Sequence, residues 1–120
     1  MKILIIDDKE PITKLVAFDL ENNGYSVFTS NSGISGLHKM RREKIDLIVL
    51  DIEMPDLSGL DILRIMKTDA KLKNIKVIVL SGVIHYKEAA AALGCDDFIA
   101  KPFTSVQLIE KIKINLKNGL

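Results

Sequence analysis

Leu47-Ile48-Val49-Leu50-Asp51 sets four apolar residues side by side and closes them with a carboxylate. A run with no polar residue in it suits a strand buried on both faces, the situation of a parallel sheet covered by helices. Ile3-Leu4-Ile5-Ile6 ahead of Asp7 and Val77-Ile78-Val79-Leu80 ahead of Ser81 read the same way. These three runs are expected at the centre of the sheet. Tyr25 to Thr29 and Phe98-Ile99-Ala100 are shorter or mixed with polar residues, which suits its two edges.

Helix patterns fill the intervals. Ile12, Leu15, Val16 and Leu20 mark a first helix that Asn23-Gly24 should stop, and Ile34, Leu37 and Met40 mark a second. Ser58 with Asp61 has the form of a capping box ahead of Ile62, Leu63, Ile65 and Met66. A fourth helix is expected around Ala89 to Leu93, ending at Gly94. Thr104 with Gln107 opens a fifth, where Val106, Ile109, Ile112 and Leu116 recur at helical spacing. Strict alternation of strand and helix predicts an α/β fold, a flavodoxin-like doubly wound (βα)5 arrangement with right-handed crossovers. The strand order 2-1-3-4-5 keeps the three continuous runs inside.

The length of 120 residues fits a single domain spanning 1–120, able to bury about two-thirds of its unfolded surface. At 48% hydrophobic and 28% charged residues the composition is that of an ordinary packed domain. The four-residue apolar runs fall far short of the roughly twenty residues of a membrane helix, and the run after Met1-Lys2 is too short for a signal peptide. A cytoplasmic protein without a membrane partner is expected. Seventeen basic against sixteen acidic residues leave a net charge of +1, so direct contact with nucleic acid is not expected either. Cys95, the one cysteine, can form neither an internal disulfide nor a metal cage and reads as a small buried hydrophobe. His38 and His85 have no metal partner at suitable spacing.

In such a sheet, ligands bind beyond the carboxyl ends of the strands near the switch between strands 1 and 3. The residues there are Asp7-Asp8, Asp51, Ser81 and Lys101-Pro102. Each has a plainer reading alone: Asp7-Asp8 as partners of a helix N-terminus, Asp51 as a cap, Ser81 as a small strand-end residue, Lys101-Pro102 as a solvated turn. Their conjunction on one sheet edge argues against that. Three crowded carboxylates should raise at least one pKa or capture a hard divalent cation, and all-oxygen ligation with room for water favours Mg²⁺ over softer metals, with Mn²⁺ as a substitute. A carboxylate beside such a cation, a lysine and a hydroxyl suits phosphoryl transfer. Asp51 can attack phosphorus while Lys101 and Ser81 stabilise the oxygens of the transferred group.

The stretches Ile5-Ile6-Asp7-Asp8, Leu50 to Gly59, Leu80-Ser81-Gly82 and Asp97 to Phe103 together resemble the receiver domain of two-component response regulators, over essentially the whole chain. The resemblance implies that Asp51 accepts phosphate from a sensor histidine kinase or a phosphotransfer protein of a phosphorelay. It implies that Asp8, Asp51 and the backbone carbonyl of Glu53 hold Mg²⁺, with Asp7 acting mainly through a metal-bound water. Ser81 would bond one phosphoryl oxygen and Lys101 another, Phe98 would be the aromatic switch, and the Lys101-Pro102 bond would be cis. Phosphorylation would change the face of helix 4, strand 5 and helix 5, offering a partner or a second copy of the domain a different surface. Glu53 and Val83, two residues beyond Asp51 and Ser81, should tune the phosphoryl lifetime. Ser81 to Gly94 spans thirteen positions, shorter than the family's usual spacing, so the segment into helix 4 is expected to be shortened.

Rival classes fit less well. An aspartate-nucleophile phosphatase would carry Asp-x-Asp after the first strand, whereas Asp51-Ile52-Glu53 follows the third. A flavodoxin-type flavin binder needs a hydroxyl-rich phosphate loop where Asp7-Asp8 stand, and a phosphorylation-independent binding module would lack some of the five residues. The expected protein is therefore a signalling switch and not an enzyme in the turnover sense. The end just past Asn118-Gly119 fits both a stand-alone regulator and a receiver cut from a longer one, and the output is open.

Overall fold

The computed structural model describes residues 1–118, apart from the side chains of Glu10, Ile12 and Asn118. The expected inward position of Ile12 and the Asn118-Gly119 end therefore lie outside the described residues. Strands and helices alternate throughout: β1 (Lys2–Ile6), α1 (Glu10–Asn22), β2 (Ser26–Ser30), α2 (Gly33–Arg42), β3 (Leu47–Asp51), α3 (Gly59–Thr68), β4 (Lys76–Ser81), α4 (Tyr86–Ala92), β5 (Asp97–Ala100) and α5 (Ser105–Asn118). The strands form one parallel sheet in the order β2-β1-β3-β4-β5. Every residue of the three continuous apolar runs is buried, while β2 and β5 keep exposed positions, as edges do.

Side chains alternate across a strand, so each continuous run feeds two cores. Leu4, Ile6, Ile48, Leu50, Val77 and Val79 pack under α2, α3 and α4 with Leu37, Met40, Ile62, Leu63, Met66 and Ala90. Ile3, Ile5, Leu47, Val49, Ile78 and Leu80 pack under α1 and α5 with Val16, Leu20, Leu108, Ile112 and Leu116. Each such buried aliphatic side chain stabilises the fold by about 1.5–3 kcal/mol relative to exposure.

The helix ends follow the expected chemistry. Ser58 and Asp61 form a reciprocal capping box on α3. Thr104 and Gln107 exchange two hydrogen bonds, Thr104 N to Gln107 Oε1 at 2.9 Å and Gln107 N to Thr104 Oγ1 at 3.1 Å. Gly24 and Gly94 sit at φ +91° and +95°, the left-handed conformation that ends a helix at little cost only for glycine. Three expected core positions are corrected: Leu15, Ile34 and Val106 are exposed. The inward line of α1 runs through Thr13, Val16 and Leu20, which leaves Leu15 about 100° off it, and Leu108 takes the first buried turn of α5 in place of Val106.

Register is what builds the site. Ile6 pairs with Ser30 and Leu50, Asp51 with Leu80, and Ser81 with Ala100, so the strands end on one edge in short steps from β1 through β3 to β4. The ladders continue one step further through Asp7 N to Ser30 O at 3.1 Å, Ile52 N to Leu80 O at 3.1 Å and Lys101 N to Ser81 O at 2.9 Å. Those bonds fix the backbones of Asp7 and Lys101 beside Asp51 and Ser81. The connection from β4 to α4 is residues 82–85, and α4 has 7 residues.

Candidate functional site

Asp51 ends β3 with no solvent exposure. Its Oδ1 accepts a hydrogen bond from Lys101 Nζ at 2.9 Å, while Oδ2 is buried without a hydrogen-bond partner. Lys9 Nζ stands 3.9 Å from that second oxygen and 3.6 Å from Asp8 Oδ1. Asp7 is buried beside them; its Oδ1 accepts the Lys9 amide at 2.9 Å and its Oδ2 lies 3.9 Å from Lys101 Nζ. The peptide bond between Lys101 and Pro102 is cis.

Burial pushes the Asp51 carboxyl up to about 6, and the charge of Asp7 pushes the same way against the opposing pull of Lys101 and Lys9. For Lys9, desolvation favours the neutral amine, but Asp51, Asp8 and Asp7 outweigh it and raise the ammonium's pKa. A buried carboxylate oxygen without a hydrogen bond is costly, and a closely bound cation would relieve it. Asp7, Asp8 and Asp51 each offer an oxygen within 4.8 Å of the others, a hard-oxygen donor set that fits Mg²⁺ or Mn²⁺.

Ser81 is fully buried at the end of β4, and its hydroxyl is bonded to Glu53 and Val83. Oγ donates to Glu53 Oε1 at 2.6 Å and accepts from Val83 N at 2.9 Å. Phe98 on β5 lies opposite Val79 and packs, partly buried, into the core under α3 and α4, on the same face of the sheet as Ser81. The sequence thus leads to Asp7, Asp8, Asp51 and Lys101, which the structure brings together, and to Ser81 and Phe98, which stand at its border.

Two contributors were not singled out from the sequence, Lys9 and Asp56; the charged side chain of Glu53 was expected beside the phosphoryl site, but its bond to Ser81 was not. Asp56 accepts from Gly33 N and Ile34 N, both at 3.1 Å, and so ties the loop after Asp51 to the start of α2. Partial desolvation opposes its ionisation, but the amides of Ile34, Leu57 and Gly33 hold its carboxyl below the usual range. Cys95 is a partly buried thiol pushed up by burial, and His38 and His85 are exposed.

A parallel sheet in this order, with three aspartates and a lysine clustered at its strand ends, is the architecture of a receiver-type signalling module. Residues 3–113 match the response regulator receiver domain, and the chain belongs to that family. It is 31% identical over 119 residues to the transcriptional regulatory protein CusR of Escherichia coli, covering 99% of this chain and 52% of that one. To the alkaline phosphatase synthesis transcriptional regulatory protein PhoP of Bacillus subtilis it is 34% identical over 118 residues, covering 98% and 49%. The chain spans about half the length of these relatives. Among solved structures, a CheY-like response regulator receiver domain protein from Methanospirillum hungatei superposes with a TM-score of 0.92 at 30% identity, covering 98% of this chain and 94% of that one. No helix among the described residues is long and apolar enough to cross a membrane.

Proposed function

We propose that Asp51 is the phosphoacceptor of a two-component signalling system. The observation that carries this is the state of its carboxylate: wholly buried, with one oxygen on Lys101 at 2.9 Å and the other unpartnered between Asp7, Asp8 and Lys9. The donor is a phosphohistidine on a sensor histidine kinase or a phosphotransfer protein. An Asp51 oxygen forms the bond to phosphorus as the P–N bond breaks, and that electron pair leaves on the imidazole nitrogen, which takes up a proton. Asp8, Asp51 and the carbonyl of Glu53 would hold Mg²⁺, with Asp7 behind them, and the ion when bound would neutralise charge on the phosphoryl oxygens. Lys101 supplies a second positive charge from the far side of Asp51, and Ser81 a hydroxyl for a third oxygen. The chain promotes its own phosphorylation and slow hydrolysis, with no separate substrate to turn over.

The relatives' names connect them with transcription, so an output at a promoter through a fused domain is the readout that similarity supports. A second copy of the receiver meeting the α4, β5 and α5 face is the contact that would follow phosphorylation. The test is direct. Wild type and Asp51→Asn are incubated with acetyl phosphate, with Mg²⁺ or EDTA, and weighed. One phosphoryl group is expected on wild type in Mg²⁺ only; equal labelling of the variant would remove Asp51 from its role.

A further inference from the structure

We infer that the Glu53 carboxylate is a latch that holds the Ser81 hydroxyl in the resting position, so that switching is a competition between Glu53 and the phosphoryl group for one proton. This rests on the aspartyl-phosphate reading above and concerns a different atom of Glu53 from the carbonyl assigned to the metal.

A serine hydroxyl has a single hydrogen to donate. Here it goes to Glu53 Oε1 at 2.6 Å, the short separation of a charge-assisted bond to a carboxylate. One lone pair of the same oxygen is taken by Val83 N at 2.9 Å, which fixes the hydroxyl from the β4–α4 side. The remaining acceptor within reach, Val83 O at 3.3 Å, is longer and neutral. Because Ser81 is fully buried, no water competes for the hydrogen, and the bond keeps more of its strength than at a surface. To donate to a phosphoryl oxygen on Asp51, Ser81 must give up Glu53. The latch therefore favours the resting state by the difference between these two charge-assisted bonds, and a ligand shifts the equilibrium only through that difference.

A plain alternative is that Glu53 acts only by repelling the phosphoryl group's negative charge. The two differ in whether Ser81 is needed. The test measures beryllofluoride affinity in Mg²⁺ for wild type, Glu53→Ala, Glu53→Gln, Ser81→Ala and the Glu53→Ala/Ser81→Ala pair, alongside denaturation of the same proteins in EDTA without beryllofluoride. With a latch, Glu53→Ala tightens binding by about tenfold, the size of one charge-assisted hydrogen bond. Glu53→Gln, which keeps an acceptor, falls between, and the gain disappears in the Ser81→Ala background. The EDTA series shows Glu53 and Ser81 coupled in the resting protein. Equal tightening with and without Ser81, or no resting-state coupling, overturns the latch and leaves the phosphoacceptor reading standing. Wild type that binds no beryllofluoride overturns that reading, and the latch with it.

Discussion

Asp51 answers two opposed demands, since a nucleophile must be ionised and a carboxylate without solvent resists ionisation. Its pKa of about 6 against an ordinary 3.8 means the folded chain holds this proton more tightly than the unfolded chain does. Near pH 3 and below both states are largely protonated and the group is neutral to stability. As pH rises from there toward 6 the unfolded state ionises first, so folding loses on the order of 2–3 kcal/mol by about pH 7. Asp51→Asn in EDTA should therefore be more stable than wild type at pH 7.5, with the gap closing toward about pH 3 in urea titrations; no gap at pH 7.5 would mean the carboxylate is already compensated. The cation site carries its own pair of expectations. Asp8→Ala should weaken Mg²⁺ binding about tenfold or more, roughly the 1.4 kcal/mol of a lost charged ligand. Lys9→Met should tighten it by about two- to fivefold, because a half-exposed ammonium 3.6 Å from Asp8 and 3.9 Å from Asp51 competes for the same charge at surface strength. Calorimetric titration giving the reverse order would place the metal elsewhere. The strand-end residues were legible because unbroken apolar runs mark where each strand stops. Lys9 and the bond from Ser81 to the Glu53 carboxylate were not, since both depend on where flexible side chains turn after the backbone is set.

At the scale of elements, the junction of β3 and α3 is the tightest part of the site. Gly59 N donates to Ile52 O at 2.9 Å, and a Cβ built on Gly59 would lie 2.5 Å from Asp51 O and 2.8 Å from Ile52 Cα. Those neighbours are backbone, which cannot rotate away as a side chain can. Alanine is intrinsically the better helix former by about 1 kcal/mol, so propensity alone predicts stabilisation. Overpacking against backbone argues the other way. Gly59→Ala should destabilise by about 1–3 kcal/mol in urea and slow labelling of Asp51 by acetyl phosphate, because α3 must slide and drags the Asp51 backbone with it. A variant as stable and as reactive as wild type would show that the junction has slack. The capping box of α3 and the glycine stop of α1 were readable from sequence because each is local. Asp56 over the start of α2 was not, since the residues it joins, Gly33 and Ile34, are 23 and 22 positions away and meet only in the folded sheet. Helix faces shifted for a related reason: Leu15, Ile34 and Val106 fit an apolar stripe, but only the tilt of each helix on the sheet decides which edge of that stripe is covered.

Across the whole molecule, burial is uneven, and this directs where a switch can act. The centre of the sheet is sealed on both faces, while its β5 edge is a strand of 4 residues beside α4, whose 7 residues bury only Ala90. With a single buried residue in α4, that side has less buried surface to lose, and it is where a phosphoryl group is expected to shift the population. Ser81 and Phe98 lie on the face it covers. Strand order was legible because 2-1-3-4-5, a common order for doubly wound sheets, puts the three unbroken runs inside; the moving parts were not, since motion depends on differences in burial that composition does not reveal. Phosphate on Asp51 should draw Ser81 toward it, and the space left behind should let Phe98 turn further into the core under α3 and α4. Hydrogen exchange with and without beryllofluoride should then change from Val83 to Phe103 and into α5, with the centre of β1 and β3 unaltered. The short connection at residues 82–85 makes this a stringent test, because a tight loop leaves Ser81 little travel. Changes confined to α1 and the loop after Asp51 would mean that the signal leaves through the metal-binding side and that Phe98 is a packing residue only.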